Sequence, residues 1–368
     1  MRGWFGVSGV VFFVFVGSAG ATPLHFAAGE RGPAVATVVA VGDVLMHEPL
    51  QRQAYTHGFA TFFSRVQHLL AAGDVSYANM EGVVAPGLSR SGAVLPDPGA
   101  VYDGVVYSGY PQFNTHPTLL PALRDVGFDV MSTANNHSGD RGPAGVDATL
   151  DQMDLAGMLH FGTRHRAEDW EEAVTVTQAG PFRLGWLACT YGVNRRRDRD
   201  HQALNCYSDR ERLLAQVRAV ATRPGIDGVV VTAHWGRENS HVPRPQEREL
   251  ARDILEAGAM AVLGMHPHVL QPMEIMGLSD GREGFVAYSL ANFVSGQSQF
   301  DQKVSMILDM RLTRDTDGRA TVHSVAYHPV FMEGVEGGWY ELVPGFGSVD
   351  PDRARRLVRS VLPEGNEL

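Results

Sequence analysis

The sequence predicts a globular α/β protein, and three of its features lead to that expectation. Short β-branched runs alternate with stretches whose apolar residues recur at helical spacing over residues 34–268, which is the pattern of an α/β fold. Apolar residues make up 44% of the 368 residues, enough for a large buried core. Beyond residue 285 the strands follow one another without helices, which indicates a second, antiparallel sheet or half-sheet.

The predicted strands are short runs rich in apolar and β-branched residues. The first ends at Asp43 and the second ends near Glu81. In chain order, we expect strands at residues 34–43, 74–82, 128–137, 182–192, 226–236, 259–268, 285–294, 304–312 and 320–332.

The predicted helices have apolar residues at helical spacing, and several end at glycine. We expect helices at residues 60–73, 119–127, 142–157, 209–225 and 244–258, and one exposed helix at residues 351–362. We place a Gly- and Ala-rich linker at residues 22–33, one domain at residues 34–335, and a tail with a short helix at residues 336–368.

Residues 1–21 have the layout of a signal peptide, with an early Arg2, an apolar stretch and a small-residue end. We expect export and cleavage after Ala21, which would place the mature protein in the periplasm or outside the cell. An uncleaved membrane anchor is the alternative, although the apolar run is shorter than the roughly 20 residues that span a bilayer. The formal net charge of −10 argues against nucleic-acid binding, which favours a basic surface.

Cys189 and Cys206 are the only cysteines of the chain. In an oxidising compartment they could form a disulfide, and the loop between them is short enough to close. Two isolated thiols are an equal alternative, because the spacing of two cysteines does not fix their geometry.

Polar side chains follow several predicted strands at the point where each strand ends. They are Asp43, Glu81, Asn136, His137, His234, His266 and His268. In an α/β sheet the carboxyl ends of the strands face one crevice, where ligands bind. Carboxylate oxygens and imidazole nitrogens are the donors that a pair of divalent ions prefers, and a carboxylate can bridge two ions.

The tripeptide "HPH" is the densest of these donor segments. Pro267 fixes its own φ and favours an extended backbone at His266. Residues two apart on an extended segment point to the same face, so we expect His266 and His268 to reach one metal cluster. Two surface histidines in a loop are the alternative.

Ordered sequence blocks point to a family. They are "GDVLMH", "NMEG", "YPQFN", "ANNHSGDRG", "TYGVN", "HWGRE", "GMHPHVLQP" and "YSLANF", and the resemblance that they carry runs over about residues 35–294. The set resembles the CapA-type poly-γ-glutamate capsule synthesis proteins, relatives of the calcineurin-like metallophosphoesterases. The resemblance implies a metallophosphoesterase-like four-layer α/β/β/α sandwich with two mixed sheets and a dinuclear metal site.

The resemblance also implies roles for individual residues. Asp43 would be the first-strand ligand and Glu81 the bridging carboxylate. The second ion would be bound by Asn136, His234 and one HPH histidine, while the other HPH histidine would bind the first ion.

Further roles concern the substrate. His137 would protonate the leaving group, and Asp140 would orient its imidazole. We expect four residues to bind substrate: Tyr191, Asn194 and Asn292 within the matching blocks, and Arg195 in the adjoining run "NRRRDRDH", whose positive charge suits an anionic polymer.

Three positions depart from the phosphoesterase pattern. Glu81 stands where that pattern has Asp, and Ala291 stands where the family usually has Gly. His47 lies four residues after Asp43 rather than two, and we keep it as a candidate metal ligand. A phosphoesterase-like fold is therefore expected, whereas phosphatase activity does not follow from it.

The expected function is that of an exported, metal-dependent hydrolase with two divalent ions (Mn, Fe, Zn or Mg) as cofactors. It would act on poly-γ-glutamate, or on a related cell-envelope polymer, during synthesis, export or trimming. The alternatives are a metallophosphoesterase acting on a small or lipid-linked phosphate, and a non-catalytic polymer-binding component. The expected partners are an anionic polymer or phosphorylated substrate and a membrane-bound synthase or export complex, with no nucleic acid.

Overall fold

Two β-sheets pack face to face and carry helices on their outer faces. The structure, a computed structural model, describes residues 24–30, 32–170, 174–194, 198–335 and 337–368. The predicted signal peptide, part of the predicted linker and the predicted substrate-binding residue Arg195 lie outside the described residues.

The strands of the two sheets alternate with helices through most of the chain. The strands are β1 (Ala36–Leu45), β2 (Val75–Met80), β3 (Val130–Ser132), β4 (Leu159–Phe161), β5 (Thr175–Ala179), β6 (Phe182–Thr190), β7 (Gly228–His234), β8 (Ala261–Met265), β9 (Met273–Gly277), β10 (Glu283–Ala287), β11 (Asn292–Ser295), β12 (Val304–Arg314), β13 (Ala320–Val335) and β14 (Trp339–Pro344). The α-helices are α1 (Glu48–His57), α2 (Gln67–Leu70), α3 (Leu119–Asp125), α4 (Gly142–Ala156), α5 (Arg210–Ala221), α6 (Pro245–Glu256) and α7 (Pro351–Val361).

The larger sheet combines a parallel half with an antiparallel half. Among the described residues its strands run in the order β14-β13-β12-β1-β2-β3-β4, and β11 also pairs with β1. Strands β1 to β4 and β11 are parallel, whereas β12, β13 and β14 form the antiparallel half. The antiparallel half-sheet predicted for the end of the chain is confirmed.

The smaller sheet has the order β5-β6-β7-β8-β10-β9 in the described part of the chain. Strands β6, β7, β8 and β10 are parallel, and an antiparallel strand closes each edge. Both sheets are therefore mixed.

Alternation along β1 shows how one strand contributes to two cores, because successive side chains of a strand face opposite sides. Val38 and Ala40 lie in the core between the two sheets. Val39 and Val41 lie in the core between the larger sheet and its helices. A third core joins the smaller sheet to α5 and α6. Three cores separate four layers, so the predicted α/β/β/α sandwich with two mixed sheets is confirmed.

Some elements differ from the sequence predictions. The strand expected at residues 285–294 is two strands, β10 in the smaller sheet and β11 in the larger sheet. The chain crosses between the sheets there at Ala291, whose φ is +63°. The helix expected at residues 60–73 consists of the 3-10 turn Phe59–Phe62 and the four-residue α2.

The segment predicted as a tail packs on the domain. Strand β14 pairs with β13 along its length. The helix predicted as exposed is α7, and Ala354 and Val358 are buried in the core between the sheets. The expectation of an exposed helix was therefore wrong for one of its faces, because α7 is amphipathic. Among the described residues, no helix combines the length and the apolar character needed to cross a membrane.

Gly42 offers a test of the close packing between β1 and the segment around Ala291, where the chain crosses from β10 to β11. A Cβ atom at this position would lie 1.8 Å from the carbonyl oxygen of Ala291, which is far inside van der Waals contact. We expect Gly42→Ala to lower the free energy of unfolding by about 3 kcal/mol or more, because the backbone must move apart. Urea denaturation would measure this loss.

The matched control is Gly277→Ala in β9, where an added Cβ meets no atom within 4 Å. We expect its free energy of unfolding to stay within about 0.5 kcal/mol of the wild-type value. Equal unfolding midpoints for the two variants would contradict the close approach at Gly42.

Candidate metal centre

The polar residues at the strand ends converge in one buried place. Three neighbouring strands of the larger sheet and two of the smaller sheet end there, because parallel strands present their carboxyl ends at the same edge. All of the following residues are at most 4% exposed: Asp43, Glu81, Asn136, His234, His266 and His268. The structure therefore brings these predicted ligands together.

Three residues form what we call the first donor group: Asp43, Glu81 and His234. One potential ligand atom from each lies within 4.8 Å of the others. Glu81 Oε1 is 3.6 Å from His234 Nε2, and Asp43 Oδ1 is 4.0 Å from His234 Nδ1. Asn136 adjoins this group, since its Oδ1 is 2.9 Å from His234 Nε2.

The second donor group consists of Glu238, His266 and His268, whose potential ligand atoms also lie within 4.8 Å of one another. The two groups touch where Asp43 Oδ2 lies 3.3 Å from His268 Nδ1. The structure thus places both HPH histidines in one group, together with a carboxylate that the sequence analysis did not single out.

The HPH segment reaches this position by a backbone path that we did not predict. His266 has a φ of +95° and His268 a φ of +59°, so the segment is a turn and the expectation of an extended His266 was wrong. Non-glycine residues in this region of φ are strained by about 1–3 kcal/mol each. The two rings nevertheless lie close, with centroids 5.8 Å apart.

Buried polar atoms without partners indicate that this donor set fits a cation. In the described part of the chain, Asp43 Oδ2, both carboxylate oxygens of Glu81 and His266 Nδ1 are buried and make no hydrogen bond. Burying a carboxylate without compensation is strongly unfavourable. A divalent ion bound by oxygen and imidazole nitrogen would remove that penalty.

The pKa values of the buried groups agree with this reading. Burial raises the pKa of Glu81 well above its ordinary value, and the charge of Asp43 adds to that effect. Burial lowers the pKa of His266 to about 3 and that of His234 well below its usual range. A neutral imidazole is the form that binds a metal ion, because its lone pair is free.

Supporting contacts orient two of the ligands. The Asn79 amide donates to Asp43 Oδ1 at 2.8 Å. Asn292 Oδ1 lies 2.9 Å from His268 Nδ1, so it can accept the proton there and leave Nε2 free. Burial alone would lower the pKa of His268, but the Asp43 carboxylate raises it. Asn292, predicted to bind substrate, is thus placed to hold His268, as residues behind metal ligands commonly do.

His137 and Asp140 form a buried pair beside the donor groups. His137 Nδ1 is 2.8 Å from Asp140 Oδ2, and the same oxygen accepts the backbone N–H of Phe113 at 2.6 Å. The Phe113 ring meets the His137 ring edge-on, with centroids 4.7 Å apart. These contacts fix Nδ1 as the donor and turn Nε2 toward the Asn194 amide, 3.3 Å away.

The segment after β6 covers the site from one side. The Tyr191 ring packs on the His266 ring at an angle of 41°, with ring centroids 4.4 Å apart, and Asn194 reaches His137 as described. The structure joins Cys189 and Cys206 in a disulfide, with Cα atoms 5.0 Å apart. This bond closes the segment that carries Tyr191 and Asn194, and so decides between the two alternatives left open by the sequence.

His47 lies at the edge of the site rather than among the donors. Its Nδ1 is 3.2 Å from both the Leu45 carbonyl oxygen and the backbone nitrogen of Gly296. Burial lowers the pKa of His47 to about 4. Among the described residues it belongs to neither donor group, so its predicted role as a ligand remains a prediction.

Three residues of the site were not predicted from the sequence. Asn79 lies two residues before Glu81, at the spacing that puts both side chains on one face of a strand, and this signal could have found it. Glu238 lies inside the block "HWGRE", but no strand pattern marks it. Phe113 lies inside "YPQFN", and only the fold brings it to His137.

The chain is similar to a known family and to several named proteins. The family described as bacterial capsule synthesis protein PGA_cap matches residues 37–297, a range that includes both donor groups and His137. The PGA biosynthesis protein CapA of Bacillus subtilis (strain 168) is 25% identical over 328 residues, which cover 89% of this chain and 77% of that protein. The capsule biosynthesis protein CapA of Bacillus anthracis is 27% identical over 279 residues, covering 75% of this chain and 64% of that protein.

Among solved structures, the chain is similar to the sulfate thiohydrolase SoxB of Thermus thermophilus in complex with glycerol. The TM-score is 0.42 at 14% sequence identity, and the match covers 85% of this chain and 57% of that chain. It is also similar to the purple acid phosphatase PPD1 of yellow lupin seeds, with a TM-score of 0.30 at 11% identity and with 79% of this chain and 54% of that chain covered.

Metal binding can be tested on one member of each donor group. We expect Glu81→Ala and His266→Ala each to weaken binding of Mn²⁺ or Zn²⁺ by about 10–100-fold or more, since changes even behind metal ligands cost that much. Equilibrium dialysis followed by elemental analysis would measure the bound metal.

The control is His323→Ala, whose imidazole contacts Ser324 and the Gly32 carbonyl oxygen and belongs to neither donor group. Its metal content should equal that of the wild type. Full occupancy in both Glu81→Ala and His266→Ala would refute the assignment of these ligands.

Proposed function

Because the chain belongs to the bacterial capsule synthesis protein family PGA_cap, we propose that it is an exported, metal-dependent hydrolase acting on poly-γ-glutamate or a related anionic cell-envelope polymer. Its relatives in two Bacillus species are named for PGA and capsule biosynthesis. We propose a role in synthesis, export or trimming of the polymer, next to a membrane-bound synthase or export complex.

The observation that carries this proposal is the position of a proton-transfer pair beside a cation-binding pocket. The two donor groups contain unpartnered buried carboxylate oxygens, and the His137–Asp140 pair lies next to them. A protein that only bound polymer would have no use for a histidine whose tautomer is fixed by a carboxylate. This pairing favours a hydrolase over a non-catalytic component.

The donor groups are suited to hold two divalent ions. Asp43, Glu81, Asn136 and His234 would contribute to one side of the centre, and the HPH histidines to the other. Bound ions would supply Lewis-acid activation of a water nucleophile and of the carbonyl or phosphoryl group under attack.

Proton transfer and substrate orientation would be carried out by side chains of the protein. Asp140 holds the His137 ring and accepts from Nδ1, so that Nε2 can carry the proton for the leaving group. With a γ-glutamyl amide, that proton passes to the departing nitrogen, and with a phosphoester it passes to the departing oxygen. Tyr191 and Asn194 line the approach and would orient the substrate.

Export is supported by the covalent structure. Disulfides form and persist in oxidising compartments outside the cytosol, and Cys189 is joined to Cys206. The apolar N-terminal segment has the layout of a signal peptide. In a reducing cytosol the disulfide would be lost, and the segment that carries Tyr191 and Asn194 would no longer be closed by a covalent bond.

The activity is tested by incubating the metal-loaded mature protein with poly-γ-glutamate and following chain length by size-exclusion chromatography with light scattering. We expect the wild type to shorten the polymer. His137→Ala should lower the rate about 10²–10⁴-fold, because a general acid contributes that much. Asp140→Ala should lower it by about 10–100-fold, as loss of a residue that orients another commonly does.

Bound metal should remain unchanged in both variants, which separates loss of proton transfer from loss of the centre. Parallel assays with p-nitrophenyl phosphate distinguish the alternative chemistry. Turnover of that ester alone would replace the proposal with a phosphoesterase, and turnover of neither substrate would replace it with a polymer-binding component.

A further inference from the structure

Glu238 is the one member of the two donor groups that faces solvent. Its side chain is exposed, whereas His266 and His268 are each 4% exposed. A carboxylate oxygen of Glu238 nevertheless lies within 4.8 Å of a ring nitrogen of each histidine. Nothing in the proposed function uses this carboxylate.

The backbone around Glu238 is fixed from both sides. The next residue, Asn239, donates its backbone N–H to the carbonyl oxygen of Pro267 at 2.9 Å. Its side-chain Oδ1 accepts from Gln302 Nε2 at 2.8 Å, and the carbonyl oxygen of Ser240 accepts from Gln271 Nε2 at 2.7 Å. Glu238 is therefore held over the HPH turn by its neighbours, although its own side chain is exposed.

Gly236, two residues before Glu238, contributes to the same arrangement. Gly236 has a φ of +95°, and a Cβ atom there would lie 3.3 Å from Pro267 Cγ. A left-handed backbone and close contact with Pro267 both favour glycine at this position. The loop therefore contacts the HPH turn on both sides of Glu238, through Gly236 before it and Asn239 after it.

The Glu238 carboxylate has no partner of its own in the described part of the chain. No hydrogen bond or ion pair ties it to an arginine, although Arg237 is its neighbour in sequence. The buried His266 has a ring nitrogen within 4.8 Å of this carboxylate, and its Nδ1 also lacks a partner. A free carboxylate held toward a buried, unpartnered imidazole is the arrangement expected of two ligands that await the same cation.

We propose that Glu238 is a third carboxylate ligand of the metal centre, which reaches a divalent ion held by His266 and His268 from the solvent side. The inference rests on the proposed metal centre and specifies its ligands and its substrate preference. With Glu238 bound, three carboxylates rather than two offset the charge of the cations. The centre then attracts a dianionic phosphate less strongly and is better matched to an uncharged amide carbonyl.

Isothermal titration of the metal-free mature protein with MnCl₂ tests the ligand assignment. We expect Glu238→Gln to bind one of the two ions at least about tenfold more weakly than the wild type. The matched control is Glu249→Gln on α6, an exposed glutamate that pairs with Arg210, and its Mn²⁺ affinity should not change. Because Glu238 is exposed, thermal unfolding of metal-free Glu238→Gln should match the wild type.

Titration of the Mn²⁺-saturated proteins with inorganic phosphate tests the electrostatic consequence. Glu238→Gln should bind phosphate about tenfold more tightly than the wild type, because one nearby negative charge is removed. Unchanged phosphate affinity in the saturated variant would overturn the effect on substrate preference.

The possible failures are distinguishable. If the wild type binds two ions and Glu238→Gln binds both of them as tightly as the wild type does, Glu238 is not a ligand. The proposed metal centre then still stands. If the wild type binds no ion, this inference and the proposed function fail together.

Discussion

The burial of two carboxylates among three buried imidazoles is the constraint on which the rest of this structure depends. Asp43 and Glu81 lie in the interior with oxygen atoms that make no hydrogen bond in the described part of the chain. Such a pair is costly in the absence of a compensating positive charge. Burial keeps His234 and His266 neutral, and the one nearby imidazole with a raised pKa is that of His268, beside Asp43. A bound cation would supply the charge that stabilises the whole arrangement.

The fold meets this constraint by bringing strand ends of two sheets to one place. The parallel halves of both sheets present their carboxyl ends toward the donor groups, and the antiparallel strands at the edges take no part. Backbone strain is concentrated at the same place. Among the described non-glycine residues with positive φ, His266, His268, Ala291 and Asn239 adjoin the site, and only His201 does not. Strain of this kind clusters where function requires it.

Much of the fold and many of the site residues could be predicted from the sequence, for a physical reason. Alternating apolar strands and helices mark an α/β sandwich, and polar residues such as Asp43 and His234 mark the strand ends where ligands gather. The resemblance of ordered blocks supplied the two-sheet architecture. The local sequence pattern was enough to predict a site residue wherever that residue stands directly at the end of a strand.

The remainder depended on contacts between distant segments. The turn at His266 is set by packing of the Gly236 and Asn239 backbone on Pro267, which no local preference encodes. Glu238 is exposed and lies four residues beyond the end of β7, so only the folded chain brings it to the histidines. The crossing at Ala291, which separates β10 from β11, likewise follows from the close approach of Gly42. In each case tertiary contact overrides the local preference.

The most direct test of the central claim is anomalous diffraction from crystals grown with Mn²⁺ at neutral pH. We predict two anomalous peaks about 3.5–4 Å apart, one among Asp43, Glu81 and His234 and the other beside His266 and His268. Absence of both peaks from this pocket, with the carboxylates still buried and unpartnered, would contradict the account.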